Sequence, residues 1–192
     1  MNLALFDFDG TLTKKDSLNE FLKHSVNRKD YMANMLKFLP YFMLWQLKLI
    51  NNGVAKEHLF RIFFKGIDEE FFKKTATEFS LKKIDFIISK ERIKILKKHQ
   101  ANGDRVVIVS ASMQCWLQPW CDKNSIELLS TKLEFKNGTF SGKFLTPNCH
   151  GIEKENRIKA HLNLQEYKTI YAYGDSSGDK EMLALAHKSI RY

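Results

Sequence analysis

Two apolar runs that each end on an aspartate constrain this chain more than any other feature. Leu3-Ala4-Leu5-Phe6 stops at Asp7, and Thr169-Ile170-Tyr171-Ala172-Tyr173 stops at Gly174-Asp175. Short apolar runs closed by turn residues have the pattern of buried parallel strands. Val106-Val107-Ile108-Val109 is a third such run and ends at Ser110. In open α/β sheets, ligands bind outside the carboxyl ends of the strands. Asp7, Ser110 and Asp175 are far apart in sequence, yet in such a sheet they face one crevice.

The rest of the chain fits around those strands. From about Ser17 to Lys98, apolar residues recur at three- and four-residue spacing with polar residues between them, which is a helical pattern. Asn51-Asn52-Gly53 and Lys65-Gly66-Ile67-Asp68 break it. Glu91 to Gln100 reads as a helix stopped by Gly103. Ile126 to Leu129 reads as another strand, Leu133 to Phe144 as a hairpin turning on Asn137-Gly138, and Glu153 to Leu162 as a helix. Residues 14–100 hold 19 Lys or Arg against 10 Asp or Glu, together with 13 of the 24 aromatic residues, whereas charges elsewhere balance. That shift sets the expected division: residues 1–13 and 91–192 form an α/β core, and residues 14–90 a helical insertion.

The basic excess has two readings. It is a solvated lysine face over an aromatic core, or it attracts an anionic partner such as a phosphorylated substrate or an acidic membrane surface. No nucleic-acid motif accompanies it, so nucleic acid is not an expected partner. The most apolar stretch, Phe38 to Ile50, is interrupted by Gln46 and Lys48 and contains Pro40. It is too short to span a bilayer, which takes about 20 residues. The expectation is a buried helix of the insertion. The alternative is an interfacial helix, favoured by Tyr41, Trp45 and the flanking Lys37 and Lys48. No basic-then-apolar leader precedes the acidic cluster, and Cys115, Cys121 and Cys149 lack metal-ligand spacing. A cytoplasmic protein with reduced thiols is expected, peripheral at the membrane under the alternative reading. Oligomeric state is not legible.

The crevice would gather Asp7, Asp9, Asp175 and Asp179, the Ser110 hydroxyl and, if its helix delivers it, the Lys154 ammonium. Clustered carboxylates repel one another unless a cation offsets them. Asp175 and Asp179 are four residues apart, so one helical turn brings them to the same face. Oxygen-only ligation with few protein ligands suits Mg2+, which also takes waters and phosphate oxygens.

Asp7-Phe8-Asp9-Gly10-Thr11, the strand-terminal Ser110, Lys154 and Gly174-Asp175-Ser176-Ser177-Gly178-Asp179 resemble the four signature motifs of the haloacid dehalogenase superfamily. Asp16-Ser17, Val109-Ser110-Ala111-Ser112, the hairpin from Gly138 to Gly142 and Asn148-Cys149-His150-Gly151-Ile152-Glu153-Lys154 are similar to its phosphoserine-phosphatase-like subfamily. The resemblance covers essentially the whole chain. It implies a doubly wound, mostly parallel Rossmann-like sheet with a small β-hairpin, and a helical cap inserted between the first two motifs. It also implies a Mg2+-dependent phosphatase in which Asp7 is the nucleophile, forming an aspartyl-phosphate. Asp9 would protonate the leaving oxygen and then activate water. Because an ordinary Asp titrates near about 3.9, Asp9 needs local help to hold a proton. Asp7, the Asp9 carbonyl and Asp175 would ligate the metal, with Asp179 supporting them from behind. Ser110, Ala111 and Lys154 would hold the phosphate, and Lys159 is the fallback for Lys154.

The chain departs from the subfamily in two places. Ser112 stands where glycine is usual, and Asp16 where a longer glutamate meets the substrate amine, so phosphoserine is not the expected substrate. Asp16 and Arg61 are the candidates for selecting it. Only one short strand's length follows the last motif, so the final sheet edge is expected to be short or missing. Three functional readings remain: hydrolysis of a small phosphorylated metabolite, hydrolysis of a lipid phosphate at the membrane surface as in phosphatidylglycerophosphate phosphatases, and a Mg2+-binding regulatory module without turnover. Phosphoryl transfer to another alcohol is compatible with the same residues.

Overall fold

β1 (Leu3–Phe6) is buried along its whole length, as an unbroken apolar tetrapeptide requires of a strand covered on both faces. The computed structural model describes residues 1–192. After β1 the chain forms α1 (Ser17–Ser25), α2 (Arg28–Gln46), α3 (Asn52–Phe64), α4 (Glu69–Ile87) and α5 (Arg92–Ala101). β2 (Arg105–Met113), α6 (Gln114–Lys123), β3 (Glu127–Thr131), β4 (Leu133–Lys136) and β5 (Thr139–Phe144) follow. The chain closes with α7 (Ile152–His161), β6 (Ile170–Gly174), α8 (Lys180–Ala184) and β7 (Lys188–Arg191).

The main sheet is parallel throughout, in the order β3-β2-β1-β6-β7. Strand order runs away from β1 in one direction through β2 and β3, and in the other through β6 and β7. This is the doubly wound arrangement expected from the sequence, and its switch point lies at the carboxyl ends of β1 and β6. The final edge is present as β7, short and exposed at all four residues. β2 does not stop at Ser110. It runs on to Met113, but its pairing with β3 loses regular register after Ser110.

Strand alternation sends side chains to opposite faces. Leu3, Leu5, Val107, Val109, Ile170 and Ala172 pack with Ile158, Leu162 and Met182 beneath α7 and α8. Ala4, Phe6, Val106, Ile108 and Tyr173 pack on the other face with Leu96 of α5 and with Trp116 and Trp120 of α6. That second cluster continues without a break into the helical insertion. Phe21 of α1 stacks on Trp116 at 4.5 Å and meets Phe72 and Phe79 of α4 edge-on. The chain enters and leaves the insertion side by side, with Thr13 bridged to Ile88. The hairpin β4–β5 turns on Asn137 and Gly138, both at positive φ as its two-residue loop demands, and its Phe140 backbone bonds to Ile67 and Gly66.

α2 departs from expectation. It runs straight through Pro40, and of its residues only Phe38 is buried. Met32, Leu36, Leu39 and Met43 are exposed, as is Leu47 just beyond it. The helix packs on α1 and α3 from one side, and nothing covers the other, so a sequence apolar all round cannot be buried all round.

A polar chain fixes α5 to the sheet. Asp104 Oδ1 accepts from Asn2 Nδ2 at 2.9 Å, Asp104 Oδ2 lies 2.7 Å from His99 Nδ1, and His99 Nε2 lies 2.9 Å from the Tyr173 hydroxyl. Burial alone would raise the Asp104 pKa, but the hydrogen bonds from His99 and Asn2 pull it below its usual value. A depressed carboxyl contributes stability that is present above its unfolded pKa and lost as pH falls through the folded one. Asp104→Asn should therefore lower stability at pH 7 by about 1–3 kcal/mol. The difference from wild type should vanish in thermal melts below the ordinary carboxylate range; a gap that persists there would contradict the ionic contribution.

Candidate active site

The carboxyl ends of β1, β2 and β6 open on a cavity of about 330 Å3 whose lining is almost wholly polar. The loop after β1 turns back at once, with Leu12 N and Thr13 N both donating to the Phe8 carbonyl. Phe8 is driven inward against Trp120, and Asp7 and Asp9 line the cavity. Gly10 has φ +76°, and a Cβ there would lie 2.1 Å from Asp175 Oδ2. Glycine is thus required on two grounds: the left-handed backbone and the carboxylate that comes up against it. Gly174 has the second constraint alone, since its Cβ would sit 2.6 Å from that of Asp179.

Asp7, Asp175 and Asp179 bring carboxylate oxygens within 4.8 Å of one another. Lys154, in the first turn of α7, is buried among them and donates to Asp7 Oδ1 at 2.5 Å and Asp179 Oδ1 at 2.6 Å. Asp179 Oδ2 accepts from Asp175 N, Ser176 N and the Ser176 hydroxyl, so both oxygens of Asp179 are committed. Asp7 keeps Oδ2 uncommitted, and the Asp175 carboxylate is in no ion pair. These two are therefore the carboxylates able to take a cation, and Asp179 orients the loop and the lysine.

The electrostatics follow from that packing. Burial pushes Asp7 up to about 7, although the Lys154 charge opposes it. Burial, with the Asp179 charge beside it, raises Asp175. Burial would raise Asp179 too, but the Lys154 ammonium and the backbone donors bring it below normal. Burial alone would lower Lys154, and the Asp7 and Asp179 charges outweigh that and hold it firmly protonated.

Asp9 has different company. It accepts from Ser17 N at 2.6 Å, the Ser17 hydroxyl at 3.1 Å and the Ser112 hydroxyl at 2.5 Å. Burial, then the Asp16 charge, push its pKa up to about 6 against those hydrogen bonds. Ser110 is buried and its hydroxyl accepts from Ser112 N at 3.0 Å, which leaves its own proton free for the cavity that it lines with Ala111.

Asp16 caps α1 through Asn19 N and lies on the cavity rim. Arg61 is not brought to the cavity. It reaches Glu57 at 3.4 Å and the Gly142 carbonyl, because its face of α3 is turned to the hairpin. Lys159 lies outside as well, exposed and paired with Glu155. The cation that α3 does deliver is Lys56, which donates to the Ala111 carbonyl at 3.1 Å and whose pKa burial lowers. Its sequence setting carries no signal, since only the docking of α3 selects it. His150 also lines the cavity.

A family model described as haloacid dehalogenase-like hydrolase matches residues 4–184. Protein CicA of Caulobacter vibrioides is 31% identical over 186 residues, spanning 96% of this chain and 82% of that one. A crystal structure of a protein of unknown function from Bordetella pertussis superposes with a TM-score of 0.84 at 20% identity, covering 99% of this chain and 89% of its own. A phospho-aspartyl intermediate analogue of phosphoserine phosphatase superposes with a TM-score of 0.65 at 19% identity, covering 99% and 85%. The fold is thus shared with phosphoserine phosphatase, and the match of nearly the whole length makes this chain a member of the haloacid dehalogenase-like hydrolases.

Proposed function

We propose that the protein is a Mg2+-dependent phosphomonoester hydrolase working through Asp7. The observation that carries this is the pairing of two aspartates two residues apart with different partners: Asp7 against the Lys154 ammonium, and Asp9 among the Ser17 and Ser112 hydroxyls. In the first step an Asp7 carboxylate oxygen attacks phosphorus. The bond to the leaving oxygen breaks, and that oxygen takes the Asp9 proton. In the second, Asp9 takes a proton from water as that water attacks phosphorus, the bond from phosphorus to Asp7 breaks, and inorganic phosphate leaves. Ser110 donates to a phosphate oxygen, and Lys154 offsets developing charge. The clustered oxygen donors suit Mg2+, with Asp7, the Asp9 carbonyl and Asp175 as ligands. When bound, the cation offsets the repulsion between nucleophile and phosphate.

Residues 14–90 serve as the cap, and Asp16 and Lys56 face the alcohol part of the substrate. A regulatory module without turnover would have no use for both Asp7 and Asp9. No helix is long and apolar enough to cross a membrane.

Hydrolysis of an aryl phosphate should stop on chelation and return with Mg2+ better than with Ca2+, whose looser shell misplaces the carboxylate. Asp7→Asn should lose activity by about 10⁴ or more. The same variant should not unfold. The folded pKa of Asp7, about 7, lies above its ordinary 3.8, so ionising it costs stability from about pH 4 upward and fully above pH 7. The amide removes that cost but also takes one carboxylate from the Lys154 ammonium, so in EDTA the melting temperature of the variant relative to wild type should rise between pH 5 and pH 8. Residual hydrolysis above a hundredth of wild type would sink the nucleophile assignment.

Ser112→Ala removes a hydrogen bond that holds the Asp9 pKa down. Asp9 must be protonated for the first step, so the alkaline limb of the rate profile should move to higher pH. The shift should be about one to two units, a hydrogen bond to a charged group being worth about 1.5–3 kcal/mol. An unmoved limb would remove Ser112 from the acid–base pair.

A further inference from the structure

A second cavity, of about 500 Å3, lies between α1, α2 and α3, and it meets the catalytic one at two shared residues, Asp16 and Lys56. The two differ in kind. The catalytic cavity has one hydrophobic residue among its 15, and the second has nine among 13. Its walls include Leu18 and Leu22 of α1, Met35, Phe38 and Trp45 of α2, and Leu59 of α3. Its size is that of a ligand site rather than a packing flaw.

Most polar groups at its edge are engaged, and Asp16 Oδ2 and the Lys56 ammonium, which keep free capacity, sit at the mouth shared with the catalytic cavity. The Tyr31 hydroxyl donates to Asn19 Oδ1 at 2.7 Å, Asn52 Oδ1 accepts from Asn148, and Asp16 caps α1. Deeper in, among Leu22, Met35, Phe38, Trp45 and Leu59, an ammonium or carboxylate on the substrate's alcohol would be stripped of water without a partner. A hydrocarbon chain would not. We infer that this recess is the leaving-group subsite, and that the substrate is an amphiphilic phosphomonoester with its phosphate beside Asp7 and its alkyl chain between α1, α2 and α3. The inference rests on the phosphate-site reading above and adds the class of alcohol. Such a substrate is available either as a free monomer or from a bilayer, and α2 bears exposed Met32, Leu36, Leu39 and Met43 on its outer side.

The test is binding, not turnover. Ethyl-, butyl- and octylphosphonate, which carry a carbon–phosphorus bond that hydrolysis does not cleave, are titrated calorimetrically against the Mg2+-loaded protein below their micellar concentrations. Kd should fall by at least about 100-fold from ethyl to octyl, the ceiling being about fourfold per buried methylene. Excess inorganic phosphate should displace the octyl compound, and Met35→Glu should flatten the series. A change under threefold, or octyl binding that phosphate leaves untouched, would overturn the subsite, the latter by putting the chain on the outer side of α2. With octylphosphonate held in vesicles of phosphatidylcholine and phosphatidylglycerol, a lower apparent Kd than for the monomer identifies the bilayer as the source, and an equal or higher one a soluble amphiphile. A steep series without turnover would keep the recess and remove the hydrolase reading; a flat series with turnover would do the opposite.

Discussion

A lysine buried between two carboxylates is the interaction on which the rest of this structure depends. Lys154 is 2% exposed and lies in the first turn of α7, where the helix dipole opposes a cation. Burial and dipole both work against its charge. Asp7 at the end of β1 and Asp179 beyond the end of β6 more than offset them. Without the ammonium, two desolvated carboxylates would face each other at the switch point of the sheet, and leaving a buried charge without its partner costs about 3–5 kcal/mol. The same contact ties three segments together, so the element that closes the fold also aims Asp7, the proposed nucleophile.

The two aspartates of the first loop show how environment divides their chemistry. Burial raises Asp7, and the Lys154 ammonium that it meets works the other way, favouring the ionised form. Asp9 is held by hydroxyls and a backbone amide, and it shares its surroundings with the Asp16 charge. Ser112 occupies a place where the subfamily usually has glycine. Its hydroxyl donates to Asp9 and lies 3.0 Å from the Ser17 hydroxyl. The departure that argued against phosphoserine as a substrate thus also adds a donor to Asp9, the proposed acid–base group.

What the sequence made legible was whatever depends on local pattern. The apolar runs before Asp7 and Asp175 are strands because nothing in them can face water, and Asn137-Gly138 turns because both residues reach positive φ. The break at Gly66 likewise acts through its own positive φ, and that at Asn51 through its side chain, which caps α3 by accepting from Val54 N. What was not legible depends on which side of a helix meets which neighbour. Lys56 and Arg61 stand on the same helix with the same charge, and only the docking of α3 sends one to the cavity and the other to the hairpin. The apolar stretch of α2 was legible as a helix, but its exposure was not, because burial requires a covering element and sequence cannot count those.

Packing also ranks the ways substrate can reach the catalytic cavity. The helical insertion and the sheet share one apolar cluster, in which Phe21, Phe60, Phe72 and Phe79 surround Trp116 and the hairpin's Phe140. Lifting the whole insertion away would expose that set of fully buried aromatics at once, and each large core side chain costs about 1.5–3 kcal/mol to return to water. α2 is different. It fully buries only Phe38, with Tyr31, Met35, Tyr41 and Trp45 half-buried against α1 and α3, so displacing it leaves the large aromatic cluster in place. Low local burial marks the element that opens at least cost. Because α2 also walls the apolar recess that joins the catalytic cavity at Asp16 and Lys56, the cheapest opening of the molecule is at the recess, with the aromatic cluster left intact.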